Sequence, residues 1–403
     1  MKKISKGVCA PKGFKANGIH AGIRKNKTKK DLSLIYSEKR ANAAAVYTQN
    51  LVKGAPIKVT KEHLSDNMAQ VIICNSGNAN TCNANGIEIA NETSSLLAEE
   101  LMVDAEDIVL ASTGVIGQPL SIEPFKEGIP SLVSGLGDHS TRAAEAIMTT
   151  DTRSKEVAIS FDINGVECRI GGMAKGSGMI EPNMATLLVF LTTDCAISSQ
   201  MLQKALSSDT KETFNMVSID GDTSTNDMAV ILANAMAENE EIRQEGAAFD
   251  TFKAALNEVT IELCSMIVAD GEGATRMIEC QVTGALTNAD AKLAAKAVIN
   301  SVLVKTMVFG SDANWGRVLC ALGYSGAKLD VGKIDVKYRS LAGEIPVCKD
   351  GYGLEFSDDL AKSVLSEDEI RILIDLKQGQ GQATAWGCDL TYDYVKINGD
   401  YRT

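Results

Sequence analysis

The run Lys175-Gly-Ser-Gly-Met-Ile-Glu-Pro-Asn-Met-Ala-Thr186, followed by the apolar segment 187–191, places a threonine where a glycine-rich, proline-broken loop turns into a buried-type strand. A hydroxyl of ordinary pKa is a weak nucleophile and needs an adjacent base. Histidine is the common base, yet the chain has only His20, His63 and His139, the last two in polar, surface-like runs. So small a set removes most Ser-His-Asp, Cys-His and His-metal arrangements. An N-terminal threonine carries its own base, because an α-amine of pKa ~7.7–8.0 keeps a neutral fraction at neutral pH. To create that terminus inside a chain, the Thr186 hydroxyl must attack the Ala185 carbonyl, shift the acyl group from nitrogen to oxygen, and leave an ester for water to cleave. Gly176, Gly178 and Pro182 supply residue types suited to a tight, strained turn before the hydroxyl. The same residues also read as a plain turn, with Thr186 opening a β-strand, where threonine is common.

Other polar loops follow apolar runs. Residues 70–74 read as a short buried strand that empties into Asn75-Ser-Gly-Asn-Ala-Asn-Thr-Cys-Asn-Ala-Asn-Gly86. Asparagine and glycine tolerate left-handed backbone, so either a ligand site or turn chemistry alone accounts for this loop. Asp107-Ile-Val-Leu-Ala-Ser-Thr-Gly-Val-Ile-Gly117 repeats the pattern, and its small residues would let an N–H and a hydroxyl approach a ligand, as an oxyanion hole requires. Thr149-Thr-Asp-Thr-Arg-Ser-Lys155 is a polar segment with two cations, and 217–227 is a further strand-to-polar-loop junction, read as opening a helix to about residue 237.

The elements that would hold these loops alternate. Strands are expected at 32–36, 43–47, 107–111, 276–282 and 302–309, and an Asn164-Gly165 turn marks a hairpin between two alternating runs. Helices are expected at 87–101, 122–134, 140–148, 198–206, 211–215, 247–269 and 289–300, the long one stopped by Asp270-Gly-Glu-Gly273. The resulting fold class is α/β, with mixed sheets between layers of helices.

At 403 residues the chain is long enough for two or three domains, or for one large core with an appendage. Its 45% apolar and 23% charged content is that of an ordinary globular protein, and a net charge of -12 argues against nucleic-acid or anionic-membrane partners. No apolar stretch approaches the ~20 residues that span a bilayer, and the basic N-terminus lacks the apolar core of a signal peptide. The ten cysteines are scattered without a C-x-x-C pair, which points to free thiols in a reducing cytoplasm and to no metal site.

The loop ending in Thr186 resembles the self-cleavage signature of the ornithine acetyltransferase family, the glutamate N-acetyltransferases of the cyclic arginine pathway. Asn75-Ser-Gly-Asn-Ala-Asn80, Ala111-Ser-Thr-Gly-Val-Ile-Gly117, Thr149-Thr-Asp-Thr152, Asp220-Gly-Asp-Thr-Ser-Thr-Asn-Asp227, Asn314-Trp-Gly-Arg317 and Tyr401-Arg-Thr403 resemble further family blocks, in order and across essentially the whole chain. The resemblance implies a self-processing fold shared with certain aminopeptidases. It also implies cleavage between Ala185 and Thr186 into chains 1–185 and 186–403 that pair into a heterotetramer. The two chains should stay interlocked, because the strand at 187–191 emerges directly from the site and cannot leave without exposing the core.

Roles follow residue by residue from the same resemblance. Thr186 would carry the acetyl group, while Thr113 and Gly114 would form the oxyanion hole. Thr152, Lys175, Glu272, Asn398 and Thr403, together with Thr186, would contact the amino-acid substrate. A zwitterionic substrate suits that set, with a cation and hydroxyls for its carboxylate and an acid and an amide for its amine end. The implied reaction moves acetyl from N-acetylornithine to glutamate without a cofactor, and acetyl-CoA stands as a further co-substrate. A self-cleaved aminopeptidase on the related scaffold is the alternative, although such enzymes usually present serine.

Overall fold

The computed structural model describes residues 1–181 and 187–400. The chain opens with β1 (Lys2–Lys3), β2 (Phe14–Ile19) and the long β3 (Leu32–Tyr47). Next come α1 (Ala55–His63), β4 (Met68–Asn75), α2 (Gly86–Leu101), β5 (Ile108–Ser112), α3 (Glu123–Ser134) and α4 (Ser140–Ile147). The hairpin β6 (Lys155–Ile163) and β7 (Val166–Lys175) leads to β8 (Leu188–Thr193), α5 (Ser199–Thr210), β9 (Val217–Ser218), β10 (Met228–Ala233) and α6 (Ala247–Ala269). The remainder carries β11 (Met277–Ala285), α7 (Asn288–Asn300), α8 (Val302–Phe309), α9 (Trp315–Gly323), β12 (Asp335–Ser340) and β13 (Gly343–Lys349). It closes with β14 (Tyr352–Gly353), α10 (Asp358–Leu365), β15 (Glu369–Asp375), β16 (Gly381–Cys388) and α11 (Tyr392–Gly399). This is the mixed α/β class expected.

Two compact units divide the chain, and neither coincides with the halves 1–185 and 186–403. The first comprises the described parts of 1–176, 182–215 and 223–263; the second comprises 177–181, 216–222 and the described part of 264–403.

The first unit is built on a nine-stranded mixed sheet of order β1-β6-β7-β8-β10-β3-β4-β5, with β2 also on β3. The Asn164-Gly165 turn closes the β6–β7 hairpin with both residues at positive φ, 52° and 86°. β8 lies between β7 and β10, antiparallel to one and parallel to the other, and all six of its residues are buried. Leu188 and Phe190 join the apolar cluster that also takes Ala143, Ala144 and Ile147 of α4. Gly172 of β7 leaves room for the side chains of Leu191, Val259 and Leu263. A strand covered on both faces is apolar without alternation, which is why 187–191 reads as an unbroken hydrophobic run. The second unit has a seven-stranded sheet of order β14-β13-β12-β15-β11-β16-β9, with α7 packed on β11 and β16 and α10 on β12 and β13.

Four expectations are corrected. Residues 32–36 and 43–47 belong to one strand, β3, with a register irregularity between Tyr36 and Ala41. The helix expected after the 217–227 loop is instead β10, since periodicity cannot separate a short apolar run in a buried strand from one in a buried helix. In β10 the neighbours β8 and β3 supply hydrogen bonds on both sides. The strand expected at 302–309 is helix α8, whose cap Ser301 accepts from the Val304 N–H and whose buried Lys305 bonds the Cys388 carbonyl. The helix expected at 211–215 is a turn leading into a 3-10 segment at Phe214–Met216.

Candidate active site

In the first unit, three strand ends lie side by side. Lys175, the last residue of β7, pairs with Leu188, the first of β8, which pairs with Met228, the first of β10. The Met228 N–H donates to the Leu187 carbonyl at 3.0 Å. Lys175 is 9% exposed, and just behind it stands a buried ion pair, Lys155 Nζ to Asp151 Oδ1 at 2.6 Å. Asp151 also accepts from the Gly176 N–H at 2.9 Å and the Thr149 N–H at 2.9 Å, so it holds the start of the glycine-rich loop that follows Lys175. Burial pushes the Asp151 carboxyl up, but the charges of Lys155 and Lys175 and these hydrogen bonds outweigh burial and hold it at about 2. An aspartate so held is an anion at every physiological pH.

β5 delivers Thr113 and Gly114. The Thr113 N–H donates to the Asn75 carbonyl at 2.9 Å, and Asn78 bridges Thr113 and Val115. Gly114 has φ +130°, and a Cβ there would come within 2.4–2.7 Å of the Gly77 and Asn78 backbone, so only glycine fits. Among the described residues neither the Thr113 hydroxyl nor the Gly114 N–H has a hydrogen-bond partner. The opposing loop is wound as its composition suggests, with Gly77, Asn80 and Cys82 at positive φ. Asn75 braces it, donating to the Asn78 carbonyl and accepting from Ser112 Oγ at 2.6 Å.

The loop before β10 ties these parts together. Asn226 Nδ2 donates to the carbonyls of Ala79 (2.6 Å) and Ser112 (3.0 Å), and its Oδ1 accepts from Thr81 Oγ1 at 2.6 Å. Next to it, Asp227 is 3% exposed. Burial pushes the Asp227 carboxyl well above its ordinary value, against the opposing pull of Ser224 and the Lys175 charge.

In the second unit, Glu272 is 7% exposed in the turn after α6. Its N–H donates to the Ser177 carbonyl at 2.8 Å, and its Oε2 accepts from Asn398 Nδ2 at 2.7 Å. A Cβ on Gly178 would meet the Glu272 carboxyl at 2.3–2.5 Å, so that glycine is what lets the acid approach the loop. Ser177 Oγ donates to the Asp270 carbonyl, and Asp220 accepts from the Met179 and Ile180 N–H groups at 2.6 and 2.8 Å.

Of the residues singled out from sequence, the structure gathers Lys175, Thr113 and Gly114 into the first unit and Glu272 and Asn398 into the second. Thr152 is exposed in the turn beside Asp151. Ala185, Thr186 and Thr403 lie outside the described residues. Asp151, Asn226 and Asp227 sit inside motif blocks but received no role; their spacing carries no signal, and only the folded contacts single them out. Among the described residues no cluster of histidine, cysteine and acid side chains could hold a metal, and no helix is long and apolar enough to cross a membrane.

Known proteins resemble this chain along its whole length. It is 51% identical over 395 residues to the arginine biosynthesis bifunctional protein ArgJ of Caldanaerobacter subterraneus, covering 98% of each chain, and 48% identical to the ArgJ of Symbiobacterium thermophilum over the full length of both. The ArgJ family matches residues 15–403. The chain belongs to the ArgJ family. It is therefore a bifunctional acetyltransferase of arginine biosynthesis. The crystal structure of an ArgJ from Bacillus halodurans superposes with a TM-score of 0.50 at 45% identity, covering 52% of this chain and 97% of that one.

Proposed function

We propose that this ArgJ-family chain cuts itself between Ala185 and Thr186 and then transfers acetyl from N-acetylornithine to glutamate through an acetyl ester on Thr186. In the first stage the Thr186 hydroxyl adds to the Ala185 carbonyl carbon. The carbon–nitrogen bond breaks to give an ester and a free amine, and water hydrolyses the ester. In the second stage the α-amine of Thr186 takes the hydroxyl proton as the oxygen attacks the acetyl carbonyl of N-acetylornithine. The Thr113 hydroxyl and the Gly114 N–H stabilise the tetrahedral oxyanion, ornithine leaves with the returned proton, and the glutamate amine attacks the ester in the reverse sense. Lys175, Thr152 and Thr403 bind the α-carboxylate of the amino acid, and Glu272 and Asn398 bind its amine end.

The observation that carries this reading is the unpartnered pair of donors at Thr113 and Gly114, held by a glycine that no other residue can replace. Further support comes from the solved relative, whose chain is matched almost end to end by about half of this one, the length expected of one product of a central cut. The products stay together as a heterotetramer acting in the cytoplasm, and acetyl-CoA serves as a second donor to the same threonine. Intact mass spectrometry tests the reading. Wild type should give two chains split before Thr186 and Thr186→Ala a single chain, and N-acetylornithine should add one acetyl group to the threonine peptide. One uncut wild-type chain would overturn it.

A further inference from the structure

The acetyl-transfer scheme above leaves the loop between β2 and β3 without a task. That loop carries Arg24, Lys25, Lys27, Lys29 and Lys30, and no acidic residue precedes Asp31, in a chain whose net charge is -12. Asp31 is fully buried and fixes the loop from within. Its carboxylate accepts from the Ala21 N–H and, at 2.9 Å, from the Arg24 N–H, and it lies 3.2 Å from His20 Nδ1. Asn26 braces the tip, its Oδ1 accepting from the N–H and the hydroxyl of Thr28 at 2.9 and 2.7 Å. Lys30 is spent on Glu145 of α4, at 2.5 Å. Lys25, Lys27 and Lys29 are exposed, and among the described residues their ammonium groups have no carboxylate partner.

The same loop lies against the proposed oxyanion donors. The Asp31 carbonyl accepts from the Ser76 N–H at 2.9 Å, which ties the loop to the turn holding Gly77 and Asn78. The Arg24 side chain runs over Gly77, where a Cβ would lie 2.6 Å from Arg24 Cγ, and its guanidinium donates to the Met148 carbonyl. Gly77 is also the residue on which Gly114 packs, a Gly114 Cβ falling 2.4 Å from the Gly77 carbonyl carbon. Burial raises the Cys74 thiol at the end of β4, and the charges of Lys175 and Arg24 both oppose it, so both cations act on one strand end. Lys27 is three residues from Arg24, at most ~11 Å of extended chain.

We propose that this loop binds the phosphates of coenzyme A when acetyl-CoA is the donor, with Lys25, Lys27 and Lys29 as their counter-charges. The proposal rests on the reading of acetyl-CoA as a second donor. Coenzyme A carries its pyrophosphate and 3′-phosphate at one end and its thioester at the other, joined by the long pantetheine arm. The acetyl carbonyl can therefore reach Thr113 and Gly114 while the phosphates stay on the loop. Ammonium groups free of carboxylates suit a multiply charged anion, because no ion pair has to be broken for it to bind. The overall negative charge repels large polyanions, whereas a local basic cluster still holds a small one. N-acetylornithine has no phosphate and makes no use of the loop.

Initial rates of acetyl transfer to glutamate test the proposal, with acetyl-CoA, with S-acetylpantetheine, which lacks every phosphate, and with N-acetylornithine. Wild type should favour acetyl-CoA over S-acetylpantetheine in kcat/KM, and added salt should erode that preference. In the triple variant Lys25→Ala, Lys27→Ala, Lys29→Ala the preference should fall at least ~5-fold through KM for acetyl-CoA, as expected when binding common to ground and transition states is lost. The ratio of kcat/KM for acetyl-CoA to that for N-acetylornithine should fall with it. A smaller fall in either ratio, or a wild type that uses both thioesters equally well, overturns the proposal alone. Should the triple variant give no cooperative melt, the salt series on wild type decides, and a preference untouched by salt overturns the proposal. A wild type that transfers acetyl from N-acetylornithine but from neither thioester overturns the second-donor reading and this proposal with it.

Discussion

At the scale of single residues, two buried aspartates near the same lysine have been driven in opposite directions. The raised carboxyl of Asp227 makes the folded chain the better proton binder. Its contribution to stability is complete below the ordinary aspartate pKa of ~3.9 and is lost as pH rises through the folded value. Asp227→Asn stays neutral throughout, so in an uncut Thr186→Ala background it should melt at or above the parent at pH 7, with the gap closing toward pH ~4. A melt several degrees lower at pH 7 contradicts this. Asp151 behaves inversely: its depressed carboxyl stabilises the fold above pH ~3.9 and ceases to do so as pH falls through about 2. Replacing it with Asn removes the carboxylate that pairs with the buried Lys155 ammonium at 2.6 Å, a change expected to cost ~3–5 kcal/mol in thermal or urea unfolding. Lys175 provides a kinetic counterpart. If its charge disfavours a protonated Thr186 amine, Lys175→Gln should move the acidic limb of the kcat/KM profile to higher pH; an unmoved limb excludes that role.

Elements show why part of the site was legible in sequence and part was not. Strand, small residues and turn are adjacent in the chain at 107–117, so the candidate oxyanion donors could be picked out before their contacts were known. Gly114→Ala would drive a methyl into the Gly77 carbonyl, where backbone on both sides leaves no cheap adjustment. A loss of ~100-fold or more in kcat is expected, and activity within a few-fold of wild type would separate Gly114 from the oxyanion. Asp227 was illegible for the opposite reason. It directly precedes β10, which pairs in parallel with β8 from Met228 opposite Leu188, and residues 228–233 carry no periodicity that reveals a strand. Residues 302–309 misled through composition, because β-branched side chains suggest a strand while the Ser301 cap commits the backbone to a helix.

For the whole molecule, the division into two compact units follows packing, whereas the proposed cut follows chemistry. After a cut at 185/186, β8 and β10 would belong to the second chain yet lie between β7 and β3 of the first. Both are buried along their whole length, and freeing them would expose Leu188, Phe190, Val230 and Ile231, each worth roughly 1.5–3 kcal/mol in burial alone. The two products should therefore elute as one species in gel filtration and separate only in denaturant. Products that part under native conditions would refute the interlocking. Family and reaction class were legible because the motif blocks span the chain in order. The division into units was not, since it depends on which segments return to which sheet.

If the proposed cut is made, that interleaved sheet gives the processed enzyme a history it cannot retrace. The uncut chain threads β8 between its neighbours as part of one polymer, with its partners held at high effective concentration by the intervening loop. Once the loop is severed, the same insertion becomes an encounter between separate molecules, and recovery from denaturation should fall as the solution is diluted. The lifetime of the active enzyme would then be set by how slowly the sheet opens, because each opening is close to a one-way event.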